Sequence, residues 1–250
     1  YPGTMKVFHF DTCLLLDPVI EEHIKKLSKQ NLLDNLTMLN VRSNVKGEVI
    51  DSISKNSSII EEIDNLKFVV GIHDFFQINK TVLPKWLRYI KNLVKKTDSH
   101  AVDLYCGIGI ISQYIANNVE KVTGIEINKK QIKLANECAH LNGLTNTKYI
   151  SDDAEKFVEY TENIDLLILN PPRVGLAKEL ITNVTNNPPG HIIYSSCNAD
   201  TFARDAERLI SSGYTLLSIQ PFDMFPQTHH LEIVGDFVLK DRLIDDDCRN

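Results

Sequence analysis

The stretch Asp103-Leu-Tyr-Cys-Gly107-Ile-Gly109-Ile110 decides how the rest of the chain is read. It ends a short apolar run and leads into a helical pattern, so two glycines stand where a first strand hands over to a helix. Glycine there lets the backbone approach a ligand at the carboxyl edge of a parallel sheet. A second run ends Gly124-Ile-Glu126, and a carboxylate at that strand end suits two ribose hydroxyls. Asp153-Ala154 follows a third run, where an adenine amino group could be read. A dinucleotide site usually offers a third glycine at the helix start. Ser112 stands there instead, which favours S-adenosylmethionine, a cofactor without a pyrophosphate. A nicotinamide cofactor and a purely structural turn are the alternatives.

Outward from this loop, runs at 100–105, 121–126, 148–150, 164–169, 191–195, 214–220 and 232–239 read as strands. Helical stretches separate the first six, which predicts an α/β domain with a parallel sheet covered on both faces. No helical pattern separates the last two, so they are expected to form an antiparallel hairpin at one end of the sheet. The domain is assigned to 98–240 and a polar tail to 241–250. Residues 1–74 read as a small α+β module, with Ile20, Ile24, Leu27 and Leu32 at rough helical spacing and strands at 36–42, 48–50 and 67–72. Between them, 75–97 is a bridging motif and helix. Leu83, Trp86, Leu87, Ile90, Leu93 and Val94 form its apolar stripe. Lys85, Arg88, Lys91, Lys95 and Lys96 form the opposite face, either solvated or turned toward RNA.

The 250 residues include 27 Lys and Arg against 33 Asp and Glu, a net charge of −6. A nucleic acid cannot be held by bulk charge here, so any such contact is local. No apolar run approaches the roughly 20 residues of a membrane span. Tyr1-Pro-Gly-Thr-Met5 lacks the shape of a signal peptide. Either Met5 is the natural start or the chain begins inside a longer protein. The 5 cysteines, at 13, 106, 138, 197 and 248, include no CxxC pair. Neither a disulfide framework nor a zinc site is implied, and reduced thiols in a cytoplasmic setting are expected.

Four further strings accompany the glycine loop. They are Phe75-Phe-Gln77-Ile-Asn79, Asn170-Pro-Pro-Arg173-Val-Gly-Leu, Ser195-Ser-Cys197-Asn198-Ala-Asp-Thr-Phe-Ala-Arg204-Asp205, and Asp223-Met-Phe-Pro-Gln-Thr-His-His230-Leu-Glu232. In this order and spacing they resemble the RNA uracil-5-methyltransferase family, from about residue 11 to about residue 239. The resemblance implies a Rossmann-like seven-strand methyltransferase sheet, S-adenosylmethionine as cofactor and RNA as partner, with rRNA favoured over tRNA. It implies cofactor contacts at Gln77, Tyr105, Gly107, Gly109, Glu126, Asp153 and Asn170. It also implies substrate-side positions at Phe76, Asn79, Pro171, Arg173, Asn198 and His230, and no metal ligands.

The chemistry explains why such a family needs a thiol and a base. Carbon 5 of uracil is a poor nucleophile until a thiolate adds at carbon 6 and makes an enolate. After methyl transfer a base must remove the carbon 5 proton. Cys197, just past the fifth strand and before a helix expected from Asp200, suits the thiolate, because a helix N-terminus favours a thiolate. Glu232, at the start of the last strand, suits the base. Cys106 and Cys138 read as packing residues, and Cys248 as inert.

Two positions depart from the family pattern: Asn170 where aspartate is usual, and Ala199 where proline is usual. Asparagine keeps a carbonyl acceptor but loses a charge toward a sulfonium. Asn-Pro-Pro also marks methyltransferases of amino nitrogens, which place an aromatic where Arg173 stands. A noncatalytic RNA-binding paralogue is the remaining alternative. The segment from Asp11 to Pro18 resembles the place where some rRNA-acting members carry their last iron–sulfur ligand. Cys13 has no partners for a cubane, so no cluster is expected in this chain.

Overall fold

In the larger unit, the strands run β5 His100–Leu104, β6 Lys121–Ile125, β7 Thr147–Ile150, β8 Leu166–Leu169, β9 His191–Ser196, β10 Tyr214–Phe222 and β11 Glu232–Leu239. The computed structural model describes residues 13, 16–34, 36–55, 58–77 and 79–242. Tyr1–Met5, residues 11, 12, 14 and 15, and Cys248 lie outside the described residues. The chain divides into two compact units, Tyr1–Glu62 with Val69–Asp74, and Ile63–Phe68 with Phe75–Asn250.

The smaller unit carries helix α1, Pro18–Lys29, and strands β1 Val41–Ser43 and β2 Val49–Asp51. Pro18 opens α1 with its angle already helical, and Asp17 caps it by accepting the Val19 N–H at 3.2 Å. Leu32 falls beyond the helix end. The strand expected over 36–42 is reduced to its last residues. β1 pairs antiparallel with β2 only from Val41↔Asp51 to Ser43↔Val49. Asn40 still bonds Ser52, but the Asp51 carboxylate then turns the partner chain by accepting the N–H groups of Ile53 and Ser54, so 36–39 have no ladder to join.

Strand β3, Ser58–Ile63, has no counterpart in the sequence reading, whereas β4, Leu66–Gly71, falls within a residue of its expected limits. In β3 the inward positions are Ile59, Glu61 and Ile63, with Ile60 facing out. A buried glutamate thus interrupts the apolar alternation by which strands are recognised.

The larger unit also carries α2 Leu83–Leu93, α3 Ile110–Ile115, α4 Lys129–Leu141, α5 Phe157–Tyr160, α6 Lys178–Asn186 and α7 Ala199–Ser211. The seven strands lie in the order β10-β11-β9-β8-β5-β6-β7. Pairing is parallel among β7, β6, β5, β8 and β9, while β11 runs antiparallel to both β9 and β10. This is a Rossmann-like α/β sheet with the hairpin at one end. β5, β8 and β9 are buried along their whole length, as strands covered on both faces must be. The stripe of α2 buries Leu83, Trp86, Leu87 and Ile90. On its other face, Arg88 is drawn to Asp64, with Nη2 donating to Oδ1 at 2.5 Å, and Lys91 lies over the Tyr114 ring. Two of the basic side chains are therefore engaged within the unit. Among the described residues, no helix is long and apolar enough to cross a membrane. Residues 240–242 form a helical turn, which takes in the first two residues of the segment read as a polar tail.

At the opposite edge, His191 opens β9 and is completely buried. Its Nδ1 meets Asp98 at 2.7 Å and its Nε2 meets Asp236 at 2.8 Å. Arg242 bridges Asp165 at 3.0 Å and approaches Asp98 at 3.6 Å. Burial alone would lower the His191 pKa, but the hydrogen bonds it donates to Asp236 and Asp98 outweigh it and hold the pKa above 6.5. An imidazolium between two carboxylates thus ties β11 to the segment before β5. Because the folded pKa is the higher one, this contribution is complete below about pH 6.5 and is lost as pH rises through the raised value. His191→Gln is expected to cost about 3 kcal/mol or more at pH 6, the scale of a broken buried ion pair. The difference from the parent should shrink toward pH 9. Chemical denaturation across that range checks this, and a difference independent of pH would contradict it.

Candidate active site

The carboxyl ends of β5, β6, β8 and β9 meet at one edge of the sheet, and the loops there enclose a cavity of about 690 Å³. β5 leaves the sheet through Tyr105, at φ 60°, a left-handed conformation that is uncommon for a side-chain-bearing residue. Gly109 follows at φ 76° and starts α3. A Cβ on Gly109 would stand 2.7 Å from the Tyr149 hydroxyl, so the turn needs glycine for both angle and space. Gly107, at φ 56°, presents its backbone to the cavity.

Asp103 is the acid of this loop. Its Oδ2 accepts the Ser112 hydroxyl at 2.5 Å and the Ser112 N–H at 3.1 Å. Its Oδ1 is buried with no hydrogen-bond partner among the described residues. Burial pushes the Asp103 carboxyl up to about 7, with Ser112 pulling the other way. Glu126, past β6, is held by the Asn128 N–H at 2.9 Å and faces the Gly107 N–H at 3.4 Å. Asp153 caps the short 3-10 turn Ala154–Lys156 and also borders the cavity.

The other wall comes from the loops after β8 and β9. Asn170, Pro171 and Arg173 line it together with Cys197. Asp205, fully buried on α7, clamps the first loop by accepting the Leu176 N–H at 2.8 Å, and Arg204 Nη2 donates to the Val174 carbonyl at 2.8 Å. Asn198 caps α7 through the Asp200 N–H and reaches the Arg173 carbonyl at 3.3 Å. The two loops are thereby fastened to each other, and they bring Arg173 and Cys197 to the same cavity. The helix N-terminus was expected to favour the thiolate. Burial and the nearby Glu232 instead leave the Cys197 pKa raised, with Arg173 opposing them.

Glu232 reaches the same cavity from an antiparallel strand. β11 registers Val234 against Ser195 and Ile233 against Ser196, so its first residue lies beside the end of β9. Glu232 is 1% exposed, and burial pushes its carboxyl up to about 7 against the pull of a hydrogen bond from Ser195.

Of the residues singled out in the sequence, Gln77, Tyr105, Gly107, Glu126, Asp153, Asn170, Pro171, Arg173, Cys197 and Glu232 line this one cavity. Gly109, Phe76, Asn79, Asn198 and His230 do not. Phe76 is buried, 6.3 Å from Phe68 between ring centroids, and its neighbour Phe75 takes the cavity position. Asn79 accepts the Thr81 and Val82 N–H groups and donates to the carbonyls of Asp223 and Met224. His230 packs edge-on to Phe225, which does face the cavity. Sequence reasoning missed Asp103, although it heads the quoted loop, and missed Trp86 and Ser195, whose roles depend on distant partners. Cys106 is buried with its pKa raised well above the ordinary value, which suits packing rather than reactivity. Among the described residues, no group of three or more His, Cys, Asp or Glu could hold a metal ion.

Comparison with known proteins gives the same grouping. The profile of the tRNA (Uracil-5-)-methyltransferase family matches residues 20–241. An uncharacterized RNA methyltransferase of Caldanaerobacter subterraneus is 34% identical over 190 residues, covering 75% of this chain and 42% of the relative. One of Clostridium tetani is 34% identical over 227 residues, covering 89% of this chain and 50% of the relative. The chain thus spans half or less of these relatives' lengths. The fold is similar to that of Pyrococcus abyssi tRNA (uracil-54, C5)-methyltransferase, solved in complex with S-adenosyl-L-homocysteine. That likeness has a TM-score of 0.79 at 23% identity and covers 93% of this chain and 70% of the other. With the profile spanning most of the sequence, the chain belongs to the tRNA (uracil-5-)-methyltransferase family.

Proposed function

We propose that the protein is an S-adenosylmethionine-dependent RNA methyltransferase that modifies carbon 5 of an unpaired uridine through a covalent Cys197 adduct. One observation carries this reading. Cys197 and Glu232 open on the same cavity as the Gly107–Glu126 cradle, and their charges are coupled.

The cavity fits the cofactor. The unpartnered Asp103 Oδ1 is a buried acceptor suited to an ammonium or hydroxyl donor. Glu126 is held by two backbone N–H groups and keeps lone pairs for ribose hydroxyls. Asp153 suits the adenine amino group, and Gln77, Tyr105 and Asn170 complete the wall. When bound, S-adenosylmethionine supplies the methyl group that carbon 5 receives.

The side chains do the rest. Arg173, which lines the cavity beside Cys197 and draws the thiol pKa down, lowers the cost of the thiolate. The thiolate sulfur bonds to carbon 6 of uracil, and the electron pair of the 5,6 double bond moves into an enolate that makes carbon 5 nucleophilic. Once carbon 5 is methylated, Glu232 as carboxylate takes its proton. The double bond re-forms, and the carbon–sulfur bond breaks to return the thiolate. Reaching both ring carbons requires an unstacked base, which costs least in a loop. Arg173 stands where an amino-nitrogen methyltransferase would place an aromatic, and its pull on the thiol pKa favours the adduct route.

Nucleoside mass spectrometry of RNA incubated with the chain and labelled S-adenosylmethionine tests the activity. Cys197→Ala should abolish both 5-methyluridine and any adduct on a denaturing gel. Glu232→Gln should form the adduct and release it slowly. In the parent, release should quicken with rising pH around a midpoint near 7, because Glu232 acts only when ionised. Loss of the adduct from the Glu232 variant alone would overturn these roles.

Cofactor affinity offers a separate check by calorimetry. Glu126→Ala should weaken S-adenosylmethionine binding by about 1.5–3 kcal/mol, the scale of hydrogen bonds to a charged group. Asn170→Asp should tighten it, because a carboxylate in a partly dry cavity attracts a sulfonium more strongly than in water. Weaker binding by Asn170→Asp with the fold intact would show that this side chain faces another part of the ligand.

A further inference from the structure

Two buried groups stand next to Glu232 that the reaction as written does not use. Trp86 on α2 and Ser195 on β9 are 1% and 0% exposed. The Trp86 indole N–H donates to Ser195 Oγ at 3.1 Å, and the Ser195 hydroxyl donates to Glu232 Oε1 at 2.5 Å. The direction of this chain is fixed by chemistry. An indole nitrogen only donates, and a serine hydroxyl has one proton to give. The ladder explains the placement. Ser195 registers against Val234, so Glu232, two residues earlier on β11, is its diagonal neighbour on the same face.

We propose that Trp86 and Ser195 form a relay that positions Glu232 and favours its carboxylate form against the effect of burial, so that it can take the carbon 5 proton. The proposal rests on Glu232 being the base. Ser195 acts through Glu232 and is a positioning residue. A protonated Glu232 directing its proton at Ser195 would meet an oxygen that already accepts from Trp86. The Ser195 proton would then lose its acceptor inside the core, which costs the desolvation of a buried donor. The ionised form satisfies all three groups at once, and each bond in such a chain polarises the next.

The balance is fine enough to matter. Burial drives the Glu232 carboxyl up, the Ser195 bond draws it down, and the result is about 7. A general base works best with its pKa near the working pH. Of the other groups nearby, Cys197 is coupled to Glu232 by charge, and Arg173 is engaged with that thiol. Asp223, His229 and His230 lie on the loop leading into β11, and Tyr89 of α2 is taken up by Ser218 at 3.2 Å.

The chain has 1 tryptophan, so a single indole N–H resonance reports on the relay without any substrate. In the parent, that resonance should titrate in one step with a midpoint near 7. The step should vanish in Glu232→Gln and in Ser195→Ala. A resonance that does not move between pH 5 and 9, or a step that survives in Glu232→Gln, would overturn the relay. The second arm follows adduct breakdown with a hairpin RNA carrying uridines in its loop. Ser195→Ala should move the pH midpoint of breakdown up by about one unit, as expected for loss of one hydrogen bond to a charged group. Ser195→Thr should restore it. Trp86→Phe, which keeps the hydroxyl and removes only the indole donor, should move the midpoint the same way by less. It decides the question if Ser195→Ala does not fold. Unchanged midpoints in the variants that fold would refute the relay. Normal product release by Glu232→Gln, with the indole step present in the parent and lost in that variant, would instead refute Glu232 as the base and leave the hydrogen-bonded chain standing.

Discussion

Parallel pairing of β6, β5, β8 and β9 forces four strand ends onto one edge of the sheet, and the chemistry of the molecule depends on that constraint. Each strand there delivers one kind of group: a glycine turn, a carboxylate, an Asn-Pro-Pro-Arg loop and a cysteine. Glu232 could not join them from a parallel strand of the same sheet without standing at its far end. It joins because β11 runs the other way, so its beginning lies at the edge where its neighbours finish. A slip of one residue in the β9–β11 ladder would turn Glu232 to the opposite face and separate it from Ser195. Residues buried along the whole of β9 and nearly all of β11 make such a slip costly.

The edge concentrates acids in a dry place, which sets the electrostatic character of the cavity. Asp103 and Glu232 are both pushed to about 7 by burial, and each is partly relieved by a serine. Cys197 is raised as well, partly by Glu232 itself. Against these, Arg173 is the cation lining the cavity among the described residues, and it draws the Cys197 pKa down.

What could be read from the sequence follows the range of the interactions involved. The seven strands of the large sheet were legible because each is a short apolar run bounded by a helix or a turn. The cavity-lining residues were legible where they sit on motifs at strand ends. β3 was not, because Glu61 occupies an inward position that the pattern reserves for apolar residues. Between Phe75 and Phe76 nothing local decides which ring turns inward. The choice is made by Phe68, on another element. Asn79 and Asn198 spend their side chains on backbone groups, a use open to any asparagine near a helix start and invisible without the helix geometry. The link from Trp86 to Ser195 spans 109 positions and leaves no trace in spacing.

Cys197 and Glu232 reach the cavity by different physical means. Glu232 is placed by a ladder, whose hydrogen bonds repeat along the strand and tolerate little local change. Cys197 and Arg173 stand on loops, which have no such repeat, and Asp205 takes over the task. Fully buried, it gathers the Tyr194 hydroxyl, the Leu176 N–H, Arg204 and Arg208 around one carboxylate. A lone buried carboxylate would be unstable, and these donors offset the cost of burying it. The same group forbids a side chain at Gly175, whose Cβ would come within 2.3 Å of Asp205 Oδ2. The glycine of the Asn-Pro-Pro-Arg-Val-Gly string thus answers to a carboxylate on α7, beyond α6 and β9. The two motifs are halves of one clamp, and their joint presence in the sequence is what brings Arg173 and Cys197 to one cavity.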